Sequence, residues 1–433
     1  MATSIISKIL KKGNSLMKII PQKIDISFST KLLVSLILSF FLFTSCNDNK
    51  VNTMAKYSSA EDGMLLIDGK REFIIGSYHH PKTENPFKEL SDNGYNYVRI
   101  SPNEAELDSA SKFNLMTWIS TGSIKGSAKS DSTRISKIVN RYKEHPSLLF
   151  WEMEDEPAFT WNSAKPRIEP EPLEDTYQLI KKLDPERLVF TNHGPVNLIS
   201  TLQKYNNSTD LVAVDVYPVI PEGIKPSYAL YPDGLQGDLL NPYISQVGEY
   251  FDKMKKVVNN SKPVFTVLQG FAWEMLKPKG ERDLLMIQYP TYEESRFMAY
   301  NAIVHGANGI LYWGTNYSPQ PSKFINDLNK VTKELASIKD IIASKNVKHT
   351  IELTYHELGY SVDAGIEMIL KENHNKYYLI TTNSDRKPIK VTFGGLSNYT
   401  KINVKSENRK IDIIDGKFID SYKPFGVHIY EIM

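Results

Sequence analysis

The chain has 433 residues, 41% of them hydrophobic and 24% charged, which suits one large folded domain plus a smaller one with a sizeable buried core. A formal charge of +2, part of it in the N-terminal segment, supplies no basic field for nucleic acid. The single cysteine, Cys46, excludes a catalytic thiol, a cysteine-based zinc site and intramolecular disulfides.

At the N-terminus, Lys23 and Lys31 precede LLVSLILSFFLF. This apolar run of about a dozen residues is short for a transmembrane helix and has the shape of a secretory signal. The region before it is long, so Met17 is an alternative start. Thr44 and Ser45, directly before Cys46, resemble the lipobox of bacterial lipoproteins, with Phe43 where Leu is commoner. The resemblance implies that residues 1–45 are a signal peptide and that Cys46 is lipidated as the new N-terminus. The protein would then be anchored in the bacterial cell envelope, at the outer membrane or cell surface; ordinary signal cleavage or an uncleaved anchor is the alternative. Residues 46–63 read as a polar linker.

From residue 64 short β-rich runs alternate with amphipathic stretches. The strand candidates are 73–78, 95–101, 113–120, 147–153, 187–193, 211–218, 263–271 and 308–314. Between them ISKIVNRYKEH (135–145) places Ile135, Ile138, Val139 and Tyr142 at helical spacing, and LEDTYQLIKKL, ISQVGEYFDKMKKVV, EESRFMAYNAIVHGA and INDLNKVTKELASI follow suit. Such a series predicts an α/β fold, a (β/α)8 TIM barrel over 64–347, in preference to a doubly wound sheet, because the first strand lacks a Gly-rich phosphate loop. Beyond it, short alternating runs separated by Gly, Asn and Asp turns predict a small antiparallel β-sandwich over 348–433.

Barrel chemistry belongs at the C-terminal edge of the strands. The first three expected strands end at Tyr78-His79-His80, Arg99 and Trp118. The next three end at Glu154-Asp155-Glu156, Asn192-His193 and Asp215-Val216-Tyr217, and the last two at Gln269 and Trp313, with Trp273 just beyond Gln269. A crown of carboxylates ringed by Trp and Tyr suits carbohydrate, because sugar C–H faces stack on aromatic rings while polar side chains take the hydroxyls. Polar residues that merely cap strand ends are the plainer alternative. Within WEMEDEP (151–157), Glu152 and Glu154 share one strand face and read as inward supports, and Glu156, last before Pro157, is best placed to project over the mouth. Crowding there raises a carboxylic acid's pKa, as a general acid requires. A zinc site built from His79, His80 and His193 has no spacing signature, and no metal or cofactor is expected.

WEMEDEP resembles the strand-four motif of (β/α)8 retaining glycosidases, the cellulase-like and β-galactosidase-like superfamily, in which an Asn-Glu-Pro carries the acid/base on its Glu. GKREFIIGSYHHP, GYNYVRIS with Arg99, KEHPSLLFWEMEDEP and SRFMAYNAIVHGANGILYW agree with it, and DSYKPFGVHIYEI resembles the last strand of C-terminal β-domains on such enzymes. The resemblance implies a glycoside hydrolase acting on a poly- or oligosaccharide, with Glu156 as proton donor and Arg99 orienting carboxylates. Two departures stand out: Asp155 replaces the Asn, as in putative glycosidases with a DEP motif, and Gln269 occupies the place of the strand-seven nucleophilic Glu.

Three mechanisms remain open. Asp215 acts as base or nucleophile opposite Glu156; or Glu154 or Asp155 orients a substrate 2-acetamido group in a pocket shaped by Tyr217 and Trp313, resembling chitinase-like enzymes; or hydrolysis is lost and the barrel of a surface lipoprotein only binds carbohydrate. Tyr78, His79, Asn192, His193, Gln269 and Trp273 complete the expected sugar-binding set with Trp118, and Glu274 is a further loop carboxylate. The Pro/Gly-rich stretch 218–240 reads as a substrate wall or lid.

Overall fold

The computed structural model describes residues 56–126, 128–160, 164–221, 241, 243–357, 359 and 364–433. The signal, Cys46 and residues 222–240 of the expected lid lie outside that set. The chain from Met54 onward forms one compact unit.

Eight parallel strands close into a barrel in chain order. They are β1 (Ile74–Ser77), β2 (Tyr97–Ile100), β3 (Met116–Ser120), β4 (Leu148–Glu152), β5 (Leu188–His193), β6 (Leu211–Val216), β7 (Val264–Gln269) and β8 (Gly309–Trp313). Each lies inside its expected apolar run. Most of their residues are buried, and β4, β6 and β7 are buried along their full length, because helices cover the outside while side chains fill the inside. One helix follows each strand: α1 (Pro86–Asp92), α2 (Glu104–Lys112), α3 (Ala128–Tyr142), α4 (Pro170–Leu183), α5 (Ile199–Gln203), α6 (Gln246–Val257), α7 (Tyr292–Val304) and α8 (Lys323–Ser337). In α3 the expected stripe is the buried one, with Ile135, Val139 and Tyr142 facing inward.

Large aromatic rings fill the barrel. Tyr97 stacks on Trp118 at 4.6 Å and meets Phe150 edge-on at 5.1 Å, and Phe265 lies 6.0 Å from Phe150 and 6.5 Å from Phe190. The interior is thus a packed core with no pore. Trp118 is fully buried in it, beneath Tyr78 at 5.1 Å. It supports the floor of the mouth and is out of reach of a sugar, contrary to the expectation from its strand-end position.

The polar linker read over 46–63 is shorter than expected. Tyr57–Ser59 pairs antiparallel with Leu65–Ile67, which pairs with Lys70–Glu72. Tyr57 and Leu65 belong to the aromatic cluster inside the barrel. Because this small sheet runs straight into β1, it closes the end opposite the strands' C-terminal edge.

After the barrel come two antiparallel sheets. The six-stranded one runs in the order Lys345–Asn346, Ile366–Asn373, Lys376–Asn383, Val427–Ile432, Lys401–Val404, Arg409–Asp412; the other is Glu352–Tyr355, Ile389–Gly394, Phe418–Tyr422. Their facing residues, among them Leu379, Phe393, Phe418 and Tyr430, form one core, as in a sandwich. Helix α7 is wedged between barrel and sandwich and is buried around most of its circumference. Polar ties secure it there. Arg296 pairs with Glu334 at 2.7 Å and donates to the Val427 carbonyl at 3.0 Å. His305, just past the helix end, bridges Asp252 at 2.9 Å and Glu367 of the sandwich at 3.0 Å.

Candidate active site

The strand ends place a recess of about 610 Å³ between the β4, β5, β6, β7 and β8 loops. Asp155, Glu156, Arg167, Asp215, Tyr217, Trp273 and Trp313 line it, with Phe159, Gly194 and Leu276 among their neighbours. A recess of about 760 Å³ on the outer side of α3 is larger, but its described lining carries no carboxylate and it is remote from most strand ends.

Glu156 reaches this recess through an uncommon backbone conformation. Its φ is +46, a left-handed value that costs a non-glycine residue free energy, on the order of 1–3 kcal/mol where the surroundings enforce it. Two backbone hydrogen bonds hold it: the Glu156 N–H donates to Asn192 O at 2.9 Å, and the Phe159 N–H donates to Glu156 O at 3.0 Å. The carboxylate lies against Gly194, where an added Cβ would come within 2.9 Å of Oε1. Arg167 Nη2 approaches Oε2 at 3.1 Å, while its guanidinium lies 4.5 Å from the Phe159 ring and its Nη1 donates to Asp155 O at 2.8 Å.

Asp215, at the penultimate position of β6, is buried beside Glu156. Burial, then the negative field of Glu156 and that of Asp155, push its carboxyl well above the usual range, against hydrogen bonds from Asn192 and Tyr217. Burial likewise lifts Glu156 to about 7, with Asp155 adding to the rise and Arg167 opposing it. Two crowded carboxyls whose charges oppose each other hold a proton between them near neutrality.

The walls are aromatic. Tyr217 stacks on Trp313 at 5.8 Å, and Phe271 packs edge-on against both. Trp273 donates from Nε1 to Tyr217 O at 3.2 Å, which fixes its ring beside the strand end. Asp155 accepts from Asn192 Nδ2 at 3.0 Å and stays half-exposed at the rim.

Several expected site residues do other work. Gln269 is fully buried: its Oε1 accepts from the Val219 N–H at 2.9 Å, and its Nε2 donates to Val219 O at 2.9 Å and Phe271 O at 3.0 Å. The amide is consumed in clamping the β6 and β7 loops, so it is a structural tie where a sugar contact was expected. His193 is buried facing Tyr205 at 6.2 Å, and burial pushes its pKa down to about 4, leaving a neutral ring in the outer layer. Asn192 acts through Asp155 and the backbone of Glu156. Glu154 pairs with Lys125 at 2.8 Å on the rim and does not line the recess. Glu274 pairs with Lys277 at 2.9 Å and accepts the Asp283 N–H at 2.6 Å.

Arg99 donates from Nε to buried Glu152 at 2.9 Å, an ion pair beneath the mouth with a carboxylate that does not line the recess. Tyr78 is buried within the fields of Glu152, Asp155 and Asp215, and burial first, then those fields, raise its hydroxyl well above the ordinary value. His79 packs behind Trp313 at 5.9 Å. Sequence reasoning missed Arg167 and Gly194. Arg167 lies in an irregular loop with no periodicity to mark it, and Gly194 shows its role only once Glu156 is seen against it. Among the described residues no three His, Cys, Asp or Glu side chains converge as metal ligands.

A closed parallel barrel whose strand ends gather carboxylates under aromatic walls defines the fold as a (β/α)8 barrel with its candidate site at the C-terminal edge of the strands. Residues 76–264, from β1 to the start of β7, match the family model described as Glycosyl hydrolases family 2, TIM barrel domain. Similar solved structures include a glycoside hydrolase at 14% identity and TM-score 0.56, covering 88% of this chain and 97% of that one. Another is a glycoside hydrolase family 5 protein from Bacteroides vulgatus, at 14% identity and TM-score 0.55 over 87% of this chain and 92% of that one. An alpha-amylase from Geobacillus thermoleovorans, complexed with acarbose, aligns at 8% identity and TM-score 0.52 over 87% and 99%. At such identities the likeness is one of fold. No curated protein sequence matches the chain.

Proposed function

We propose that the protein is a glycosidase that hydrolyses O-glycosidic bonds of a poly- or oligosaccharide, with Glu156 as general acid and Asp215 as its carboxylate partner. The observation that carries this reading is the pair itself: two carboxyls, one just beyond β4 and one on β6, face one recess, both raised by burial, with Asp155 adding to the rise of Glu156 and Glu156 to that of Asp215. Protonated Glu156 gives its proton to the glycosidic oxygen as the bond to the anomeric carbon breaks. With the one proton of the pair on Glu156, Asp215 is ionised and either attacks that carbon or takes a proton from the water that does. The Tyr217–Trp313 wall stacks on the sugar ring, and Arg167 holds the Glu156 side chain in place.

The occupation of the strand-seven position by Gln269 favours a second reading, a carbohydrate-binding barrel without turnover. Release of reducing ends from a panel of glycans separates the two. The glycosidase reading expects release by the wild type and its loss in Glu156→Gln; no release from any glycan that binds contradicts it.

We propose further that Cys46 anchors the protein to a bacterial envelope membrane through lipid. Labelled fatty acid incorporated into the wild type and absent from Cys46→Ala supports this; equal labelling of both contradicts it.

A further inference from the structure

A second recess, of about 370 Å³, adjoins the carboxylate recess on the β1–β3 side of the mouth. Its lining includes Tyr78, His79, His80, Lys82, Arg99 and Asn316. The two recesses share a wall, because Trp313 lines the first while His79, 5.9 Å from the Trp313 ring, lines the second. Their chemistry is opposite. The first gathers Asp155, Glu156 and Asp215 around one arginine; the second has no carboxylate among its lining residues. Glu152 lies buried beneath it on Arg99 Nε, and Glu106 near its rim accepts the Ser101 N–H.

Donors are left over in this second recess. Arg99 is committed to Glu152 through Nε alone, and among the described residues its two Nη groups make no hydrogen bond. His79 Nε2 and His80 Nδ1 are buried without a partner among the described residues. Lys82 is exposed at the edge. Planar guanidinium with spare N–H groups beside an ammonium is an arrangement that receives carboxylate or sulfate oxygens. The local field agrees: burial first, then the positive fields of Arg99 and His80, depress the His79 pKa to about 4. Burial also lifts the Glu152 carboxyl to about 7, so near neutrality Glu152 offsets the Arg99 charge only in part.

We propose that this recess is a subsite for an oxyanion carried by the sugar next to the one that is cleaved, either a uronate carboxylate or a sulfate ester, held by Arg99 and Lys82. The protein's substrate is then an acidic polysaccharide, an inference that rests on the glycosidase reading above. The neutral aromatic wall of the first recess takes the sugar at the scissile bond, and the cationic recess takes its charged neighbour.

The test is binding, so that it reads separately from hydrolysis. The full chain carrying Glu156→Gln is titrated calorimetrically with size-matched neutral, uronate-bearing and sulfated oligosaccharides at low and high salt. An acidic set should bind at least about tenfold more tightly than the neutral one, and this preference should shrink at high salt as exposed charges are screened. Lys82→Ala, a surface change that leaves the core untouched, should cut the preference about threefold, and Arg99→Gln should abolish it. Which acidic set binds identifies the anion. Neutral glycans binding as tightly as both acidic sets, or a preference that survives Lys82→Ala and Arg99→Gln, overturns the subsite. Wild-type hydrolysis of neutral glycans without acidic preference removes the subsite and keeps the glycosidase. Salt-sensitive acidic binding without hydrolysis of any glycan keeps the subsite and removes the glycosidase.

Discussion

Glu156 is held where its own backbone preference resists it. A non-glycine residue before a proline rarely takes a left-handed φ, and here Asn192, Phe159 and Arg167 together enforce one. The benefit is position: the side chain is driven over the recess, where burial and Asp155 raise its pKa to about 7. The alkaline limb of kcat/KM is therefore expected near pH 7, since the proton donor is lost as pH rises through the folded pKa. A limb unchanged in Glu156→Gln would assign it to another group. Gly194 matters for the same geometry. Gly194→Ala sets a Cβ 2.9 Å from Glu156 Oε1, and the side chain must move. We expect the fold to persist while kcat/KM falls about a hundredfold, the usual cost of about 1 Å of misplacement, measured alongside a melting curve. The sequence singles out Glu156 within WEMEDEP by its place before Pro157, but neither its left-handed backbone nor the close approach of Gly194, which reads as an ordinary loop glycine, is legible there.

At the scale of elements, the strands were legible because each is buried on both faces and so appears as a continuous apolar run bounded by turn residues. Strand ends were legible as a group, but their individual roles were not. Trp118, expected at a strand end, sits in the middle of β3 and faces the packed interior, while His193, last in β5, faces the outer layer. Alternation along a strand is only a guide once a bulge intervenes, and the β3–β4 register shifts at Thr117/Trp118. Gln269 is the instructive case. Its position suggests substrate, but both of its amide hydrogens go to carbonyls that join the β6 and β7 loops. Gln269→Glu, which restores the residue the superfamily pattern has there, replaces those donors with an acceptor facing two carbonyl oxygens. Stability should fall by about 2–4 kcal/mol with no gain in turnover. Denaturant titration checks the first and the glycan assay the second; a stable, more active variant would show that the amide is no tie.

Over the whole molecule, barrel and sandwich are joined through α7, and His305 is the charged link. Hydrogen bonds to Asp252 and Glu367, with the fields of those carboxylates, outweigh burial and raise its pKa to about 10. A histidine whose folded pKa lies above its unfolded value contributes stability that is full below about pH 6.5 and is lost as pH rises toward 10. His305→Gln should therefore destabilise by about 1–3 kcal/mol at pH 6, with the difference narrowing by pH 10. Paired melts across that range measure it, and a pH-independent difference would contradict the charged link. Nothing in the sequence around His305 marks this link. Its partners are 53 and 62 residues away and come together only after both domains fold. The small N-terminal sheet was hidden for a related reason: Tyr57–Ser59 looks like polar tether until its pairing with Leu65–Ile67 buries Tyr57.

The central claim is that Glu156 protonates a leaving group opposite Asp215. It is tested most directly by comparing wild type and Glu156→Gln on aryl glycosides of one sugar that differ only in leaving-group acidity. A dinitrophenolate leaves without a proton, whereas an alkoxide or simple phenolate needs one. Glu156→Gln should lose about a thousandfold or more in kcat/KM on the poor leaving groups and far less on the dinitrophenyl glycoside. Equal losses across the whole series, or none, would contradict it.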